Sequence, residues 1–164
     1  MDKNSGFTIV ELLVVIAIMS ALIVASTVGW NTLIPGYRLN AAVNEIQTAF
    51  QMAKLKAIKE NATTRVTLNG ATGQYQAFVD DDEDGNPDTG HPVFVSDTLP
   101  MGVSSAGGTA TVFTLLNNRG FPTGGGATNF RFVNSKGAYK GINISVAGSV
   151  VIQTSTDGVN WQDL

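Results

Sequence analysis

Four aspartates in one short segment have the spacing of a hard-cation loop. In Val79-Asp80-Asp81-Asp82-Glu83-Asp84-Gly85-Asn86-Pro87-Asp88, the side chains of Asp80, Asp82 and Asp84 take alternate positions. Gly85 falls where such a loop turns sharply, and Asp88 follows. Carboxylates at this spacing can wrap calcium, which takes about 6–8 oxygen ligands. The second half departs from the EF-hand pattern. His91 stands where a bidentate Glu is required, and no helix pair flanks the segment. Asp, Asn, Gly and Pro are also the residues of a solvated polar turn. Both readings stay open at this point: a calcium site on Asp80, Asp82, Asp84 and Asp88, or a turn without an ion. No other cofactor is indicated.

A second carboxylate stands out by its surroundings. Glu11 is followed by a stretch from Leu12 to Tyr37 without a charged residue, almost wholly apolar as far as Val28. A helix rises about 1.5 Å per residue, so this run can cross a bilayer core of about 30 Å. Trp30 suits the membrane–water interface. A carboxylate within lipid costs roughly 2.5–3.5 kcal/mol at mid-bilayer. An anchor alone has no use for Glu11, whereas a segment that later meets a positive partner does. A secretory signal is a poor fit, because the charged start is weak and no small-residue exit site follows the apolar segment.

Gly6-Phe7-Thr8-x-x-Glu11 ahead of an apolar helix resembles the class III signal of type IV pilins and type II secretion pseudopilins. The short polar leader would be Met1 to Gly6. The resemblance implies cleavage by prepilin peptidase between Gly6 and Phe7 and N-methylation of Phe7. It also implies that Glu11 meets the Phe7 amine of a neighbouring subunit during assembly. An opposite charge is what makes a buried carboxylate tolerable.

The remaining chain must fold around this anchor. Pro35 and Gly36 predict a kink or a short melted segment, or a simple bend where the helix leaves the membrane. From Tyr37 to Asn61 the period is helical, with Leu39, Val43, Ile46, Phe50, Ala53, Ala57 and Ile58 on one face. Lys54, Lys56 and Lys59 suit the negative end of the helix, and Asn61 is a stop. The period then changes to two. Strands are expected at Arg65–Leu68, Gln74–Val79, Val93–Val95, Val112–Leu115, Phe130–Val133, Gly141–Val146 and Ser149–Gln153. Asn134-Ser135-Lys136-Gly137 and Ala147-Gly148 read as turns, and Ser104–Gly108 and Thr123–Ala127 as flexible loops. Eighteen glycines and 14% charged residues agree with a turn-rich β domain. The fold class is α+β: a long N-terminal, partly transmembrane helix packed on an antiparallel β domain. The expected division is a leader 1–6, an apolar helix 7–30, an amphipathic helix 31–61 and a β domain 62–164.

Asn118-Arg119-Gly120-Phe121-Pro122 and Ile142-Asn143-Ile144-Ser145-Val146-Ala147-Gly148-Ser149-Val150 resemble the GspH/FimT branch of the pseudopilins. An Asp-rich hairpin turn after an aromatic strand, here Asp80 to Asp88, is a further likeness to that branch. The chain has no cysteine, which departs from many major type IV pilins and fits pseudopilins and minor pilins better. The implied function is a minor pilin or pseudopilin of a type IV pilus or type II secretion pseudopilus. Its implied partners are other pilin or pseudopilin subunits, the inner-membrane assembly platform and prepilin peptidase. Its implied location is the bacterial inner membrane, single-pass with the C-terminal domain in the periplasm, and then the filament.

Catalysis has no constellation to rest on: His91 is the single histidine, and there is no thiol. A net charge of −3 gives no general pull toward nucleic acid. The alternative function is a DNA-binding minor pilin for natural transformation. It would need Arg119, Arg131, Lys136 and Lys140 on one edge, while the tail from Asp157 to Leu164 is acidic. Trp161 in that tail suits either a partner anchor or a core residue at a sheet edge.

Overall fold

The computed structural model describes residues 7–123 and 129–164. The leader with Gly6 and most of the glycine-rich loop after Thr123 lie outside the described residues. The chain divides into two compact units, Met1–Ile34 and Pro35–Leu164.

One helix, α1 (Ile9–Glu60), supplies most of the first unit and one layer of the second. Its first-unit part is apolar and uncovered. The most apolar 18-residue window has a mean hydropathy of 2.7 and none of it is buried, so it is long and apolar enough to cross a membrane. Ser20 and Ser26 donate their hydroxyls to the carbonyls of Ile16 and Leu22, each at 2.8 Å. Neither of these two hydroxyls is then left as an idle donor on an apolar surface. The helix runs unbroken through Pro35 and Gly36, so the melted segment expected there is absent. Proline removes one donor, and a long helix on either side tolerates the loss.

In the second unit the helix buries Leu39, Ala42, Val43, Ile46, Ala49, Phe50, Ala53 and Ala57. Alanine at four of these positions keeps the helix close to the sheets. The helix ends on Asn61 in the left-handed conformation (φ 53°), and Ala62 N–H closes back on Ala57 C=O at 3.1 Å.

Ten strands follow: β1 (Thr64–Asn69), β2 (Gln74–Val79), β3 (Val95–Thr98), β4 (Val103–Ser105), β5 (Thr111–Leu116), β6 (Pro122–Thr123), β7 (Asn129–Asn134), β8 (Tyr139–Ile144), β9 (Val150–Ser155) and β10 (Gln162–Asp163). They form two antiparallel sheets, β3-β2-β1-β5-β6 and β10-β9-β8-β7-β4. The architecture is α+β, with the helix packed on both sheets through one core. Val66, Leu68, Tyr75 and Ala77 come from the first sheet, and Phe130, Phe132, Ile142 and Ile144 from the second.

Several expected boundaries shift. Val93 and Phe94 precede β3, and β8 begins at Tyr139 and ends before Ser145. Ser104 and Ser105 pair with β7 instead of looping freely.

Candidate functional sites: the signal segment and the acidic loop

Phe7 and Thr8 lie ahead of the first helical residue, and Phe7 is 84% exposed. Thr8 Oγ1 accepts the Glu11 N–H at 3.2 Å, and Thr8 C=O accepts the Leu12 N–H at 3.2 Å. Thr8 is therefore the N-cap, satisfying one of the donors that a helix start leaves unpaired. Thr-x-x-Glu is also the composition of a capping box. Glu11 sits in the first turn, where the helix dipole favours a carboxylate. The spacing of the two residues was visible in the sequence; the capping role of Thr8 was not read from it.

The acidic loop is built on Arg65. In the first sheet Arg65 pairs with Phe78 and Leu115, on the face opposite Val66 and Leu68. Its guanidinium lies 4.6 Å from the centre of the Phe113 ring. Nε donates to the fully buried Asp80, and Nη2 donates to Glu83 C=O at 3.1 Å. The second Asp80 oxygen accepts Gly85 N–H at 3.3 Å. The loop thus folds over Arg65 and closes on itself: Asp81 N–H donates to Asp88 Oδ2 at 2.8 Å, and Asn86 N–H to Asp84 Oδ1 at 2.7 Å. Asp80, Asp82 and Asp88 bring carboxylate oxygens within 4.8 Å of one another, and Asp84 does not join that set. Hard oxygen ligands suit calcium. The most buried of the three is already paired with an internal cation.

At its far end the loop is tied to the helix. Glu60 bridges Lys56 at 2.5 Å and His91 Nδ1 at 3.4 Å. The Lys56 hydrogen bond holds the Glu60 carboxyl below the usual range. Lys56 also lies 5.8 Å from the centre of the Phe94 ring.

The two C-terminal motifs meet against the helix. Gly120 (φ 74°) leaves no room for a side chain: a Cβ there would stand 2.6 Å from Lys54 Cγ. A Cβ at Gly148 would stand 3.1 Å from Gly120 C=O, and Lys54 Nζ donates to Gly148 C=O at 3.3 Å. The Arg-Gly turn and the late hairpin are thus one contact, which explains why both need glycine.

Residues 42–156 match the family described as type II transport protein GspH, and residues 1–27 match the prokaryotic N-terminal methylation motif. The chain belongs to the GspH family. This GspH-family chain is a pilin-like subunit of the pseudopilin type, with the N-terminal signal of a prepilin peptidase substrate. The family is structural, not catalytic. Searches of curated proteins and of solved structures found no match.

Arg131 and Lys140, two of the four basic residues, lie on opposite faces of the second sheet. Arg131 pairs with Gly141 and stacks 4.8 Å from the centre of the Trp161 ring. Lys140 pairs with Phe132, so it leaves the sheet on the other side, toward the core. Trp161 donates Nε1–H to Gly158 C=O at 3.1 Å, and a Cβ at Gly141 would lie 2.9 Å from its ring. The tryptophan therefore closes the β9–β10 hairpin. Asp157 organises that hairpin, accepting the Asn160 and Val159 N–H groups and the Ser155 hydroxyl. Those hydrogen bonds, from Asn160 first, hold its carboxyl well below the usual range.

Proposed function

We propose that this GspH-family chain is a minor subunit of a type II secretion pseudopilus or a type IV pilus. Prepilin peptidase cuts between Gly6 and Phe7, and Phe7 is then N-methylated. The apolar helix holds the subunit in the inner membrane, with the second unit in the periplasm. The assembly platform then moves it into the filament, where the helix packs among those of other pilin or pseudopilin subunits. Glu11 neutralises the Phe7 amine of a neighbour there.

One observation carries this reading: a bare apolar helix begins on an N-cap that leaves Phe7 free and puts Glu11 in the first turn. Outside lipid, such a surface must be covered by other apolar surfaces, which the helices of neighbouring subunits would supply. The mature chain should be lighter by its first six residues and heavier by one methyl group on Phe7. A mass spectrum of the intact, unmodified full-length chain would overturn the processing step. A deletion scored for secreted proteins and for surface pili separates the two machines. Lost secretion with intact pili identifies a pseudopilin, and the reverse identifies a minor pilin.

DNA binding in natural transformation is the second reading. It finds less support, since Arg131 is committed to Trp161 and Lys140 lies on the opposite face. Absence of salt-dependent gel retardation by the purified chain at low salt removes it.

A further inference from the structure

Arg38 is the first charged residue after Glu11, and it stands eight residues beyond Trp30. The helix is continuous through this stretch, so Arg38 is about 12 Å of rise from Trp30. The second unit begins at Pro35, so its residues beside Arg38 are the ones that chain connection keeps nearest to the end of the apolar run.

Two turns meet Arg38. Its Nη1 donates to Met101 C=O at 3.0 Å, in the turn between β3 and β4. A Cβ at Gly102 would lie 3.9 Å from both Arg38 Nη1 and Ser135 Oγ, which brings in the turn between β7 and β8. That turn carries Ser135 and Lys136, both exposed. Lys136 also borders a cleft with Gly36 and Asn40 of the helix. Met101 is 79% exposed and Tyr37 69%. These are the residue types of a membrane–water interface: an aromatic ring, an apolar tip, and long stems that end in a cation.

The charges of the second unit are unevenly placed. Lys140 also borders a neighbouring cleft with Leu164, which leaves Arg38 and Lys136 as the cations of this end. Against them stands Asp157, which follows Thr156 at the cleft and whose carboxylate is held by Asn160, Val159 and Ser155. The exposed Asp81, Asp82, Glu83 and Asp84 belong to the loop that His91 ties to Glu60. Arg38 and Glu60 are 22 residues apart, or about 33 Å along the helix. Screening acts over about 8 Å in physiological salt, so those acids do not oppose the approach of the basic end to an anionic surface.

We propose that the Pro35 end of the second unit rests on the anionic lipid headgroups of the membrane that holds the apolar helix. Arg38 and Lys136 meet the headgroup phosphates, and Met101 dips between them. The inference rests on the reading of the apolar helix as a membrane anchor. A basic side chain next to such a surface is worth about fivefold in occupancy. The contact belongs to the subunit before assembly and is given up when the subunit enters the filament.

The chain has no cysteine of its own, which allows single labels. Ser135→Cys marks the basic end and Asn86→Cys the acidic loop, both at exposed positions that leave the charges intact. The full-length chains, each with a fluorophore on the new thiol, are placed in nanodiscs of phosphatidylcholine alone or of an equal mixture with phosphatidylglycerol. Lipid spin-labelled at the headgroup serves as quencher. The Ser135 label should be quenched severalfold more in the anionic discs, and high salt should remove the excess. The Asn86 label should show no difference. Lys136→Gln, on its exposed turn, should lose a large part of the excess, and Arg38→Gln added to it nearly all. Equal quenching at Ser135 in the two lipids, or an excess indifferent to salt and to both substitutions, overturns the proposal. Ile16→Cys with tail-labelled lipid reports the anchor. If the Ile16 label is quenched and the Ser135 label is not, the anchor stands and the headgroup contact is wrong. If the Ile16 label is not quenched, the anchor reading fails and the contact fails with it. Shielding of Ser135→Cys from a membrane-impermeant maleimide in cells, without quenching in either disc, assigns this end to a protein partner and also overturns the lipid contact.

Discussion

Arg65 on β1 and Asp80 at the end of β2 form an ion pair whose carboxylate is wholly buried. The pair is the hinge between the sheet and the acidic loop. Strand pairing sets Arg65 opposite Phe78, two residues before Asp80, so both side chains emerge on the same face of the first sheet. The guanidinium does three things there: it pairs with Asp80, holds Glu83 C=O at 3.1 Å and lies over Phe113.

Removing the cation leaves the buried carboxylate alone. Arg65→Leu should destabilise the second unit by about 3–5 kcal/mol, the cost of breaking a buried pair from one side. Arg65→Lys should recover only part of this, since an ammonium can neither fork between Asp80 and Glu83 nor stack on Phe113. Arg65→Leu with Asp80→Leu should be milder than Arg65→Leu alone. Thermal unfolding of the three variants, followed by circular dichroism, gives the comparison. Equal loss in all three would mean that the pair is not what holds the loop.

The same arrangement bears on calcium. Asp80, Asp82 and Asp88 converge, but Arg65 already supplies the positive charge that an ion would bring. Millimolar calcium should therefore leave the wild-type melting temperature within about a degree of its value in magnesium. By mass action, a ligand present at 100 times its Kd would add about 2.7 kcal/mol, which is readily seen. A calcium-specific rise would show that Asp82 and Asp88 bind the ion beside Arg65.

How far the sequence reached depends on the range of the signal. The helix, its stop at Asn61 and the alternating strands of β1, β2 and β7 were legible because each rests on local periodicity or one turn residue. Short strands such as β4, β6 and β10 were not, since two or three residues carry no period and are fixed by a partner strand far along the chain. The division into two sheets was hidden for the same reason. At the acidic loop the carboxylates were evident, yet Asp84 was counted as a ligand and Arg65 was not connected to it. Only the β1–β2 register brings that arginine under the loop.

Asp157 gives a pH dependence with a definite sign. Its folded-state carboxyl is held below the ordinary aspartate value by the hydrogen bonds from Asn160, Val159 and Ser155. The stability it contributes is fully present above the unfolded-state value of about 3.9 and is lost as pH falls below it. Asp157→Asn should lower the melting temperature at pH 7 and leave a smaller further fall between about pH 4 and pH 2 than wild type shows. Parallel acid limbs for the two proteins would mean that this carboxylate does not contribute.

Thr8 and Glu11 allow the start of the helix to be separated from the chemistry of assembly. Thr8→Val removes the hydroxyl that accepts the Glu11 N–H and keeps the shape. Loss of such a cap costs about 1 kcal/mol, so the Glu11 and Leu12 amides should exchange with deuterium roughly fivefold faster in detergent micelles. Cleavage after Gly6 should persist. Glu11→Gln keeps the side-chain size and the helix start but removes the charge. It should leave those amides near wild-type protection, permit cleavage and reduce recovery of the chain in sheared filaments. If Thr8→Val blocks assembly as fully as Glu11→Gln with no change in amide exchange, Thr8 acts through a partner subunit and not as the cap. If Glu11→Gln assembles normally, the carboxylate serves the first turn of its own helix, and the charge pairing with the Phe7 amine is wrong.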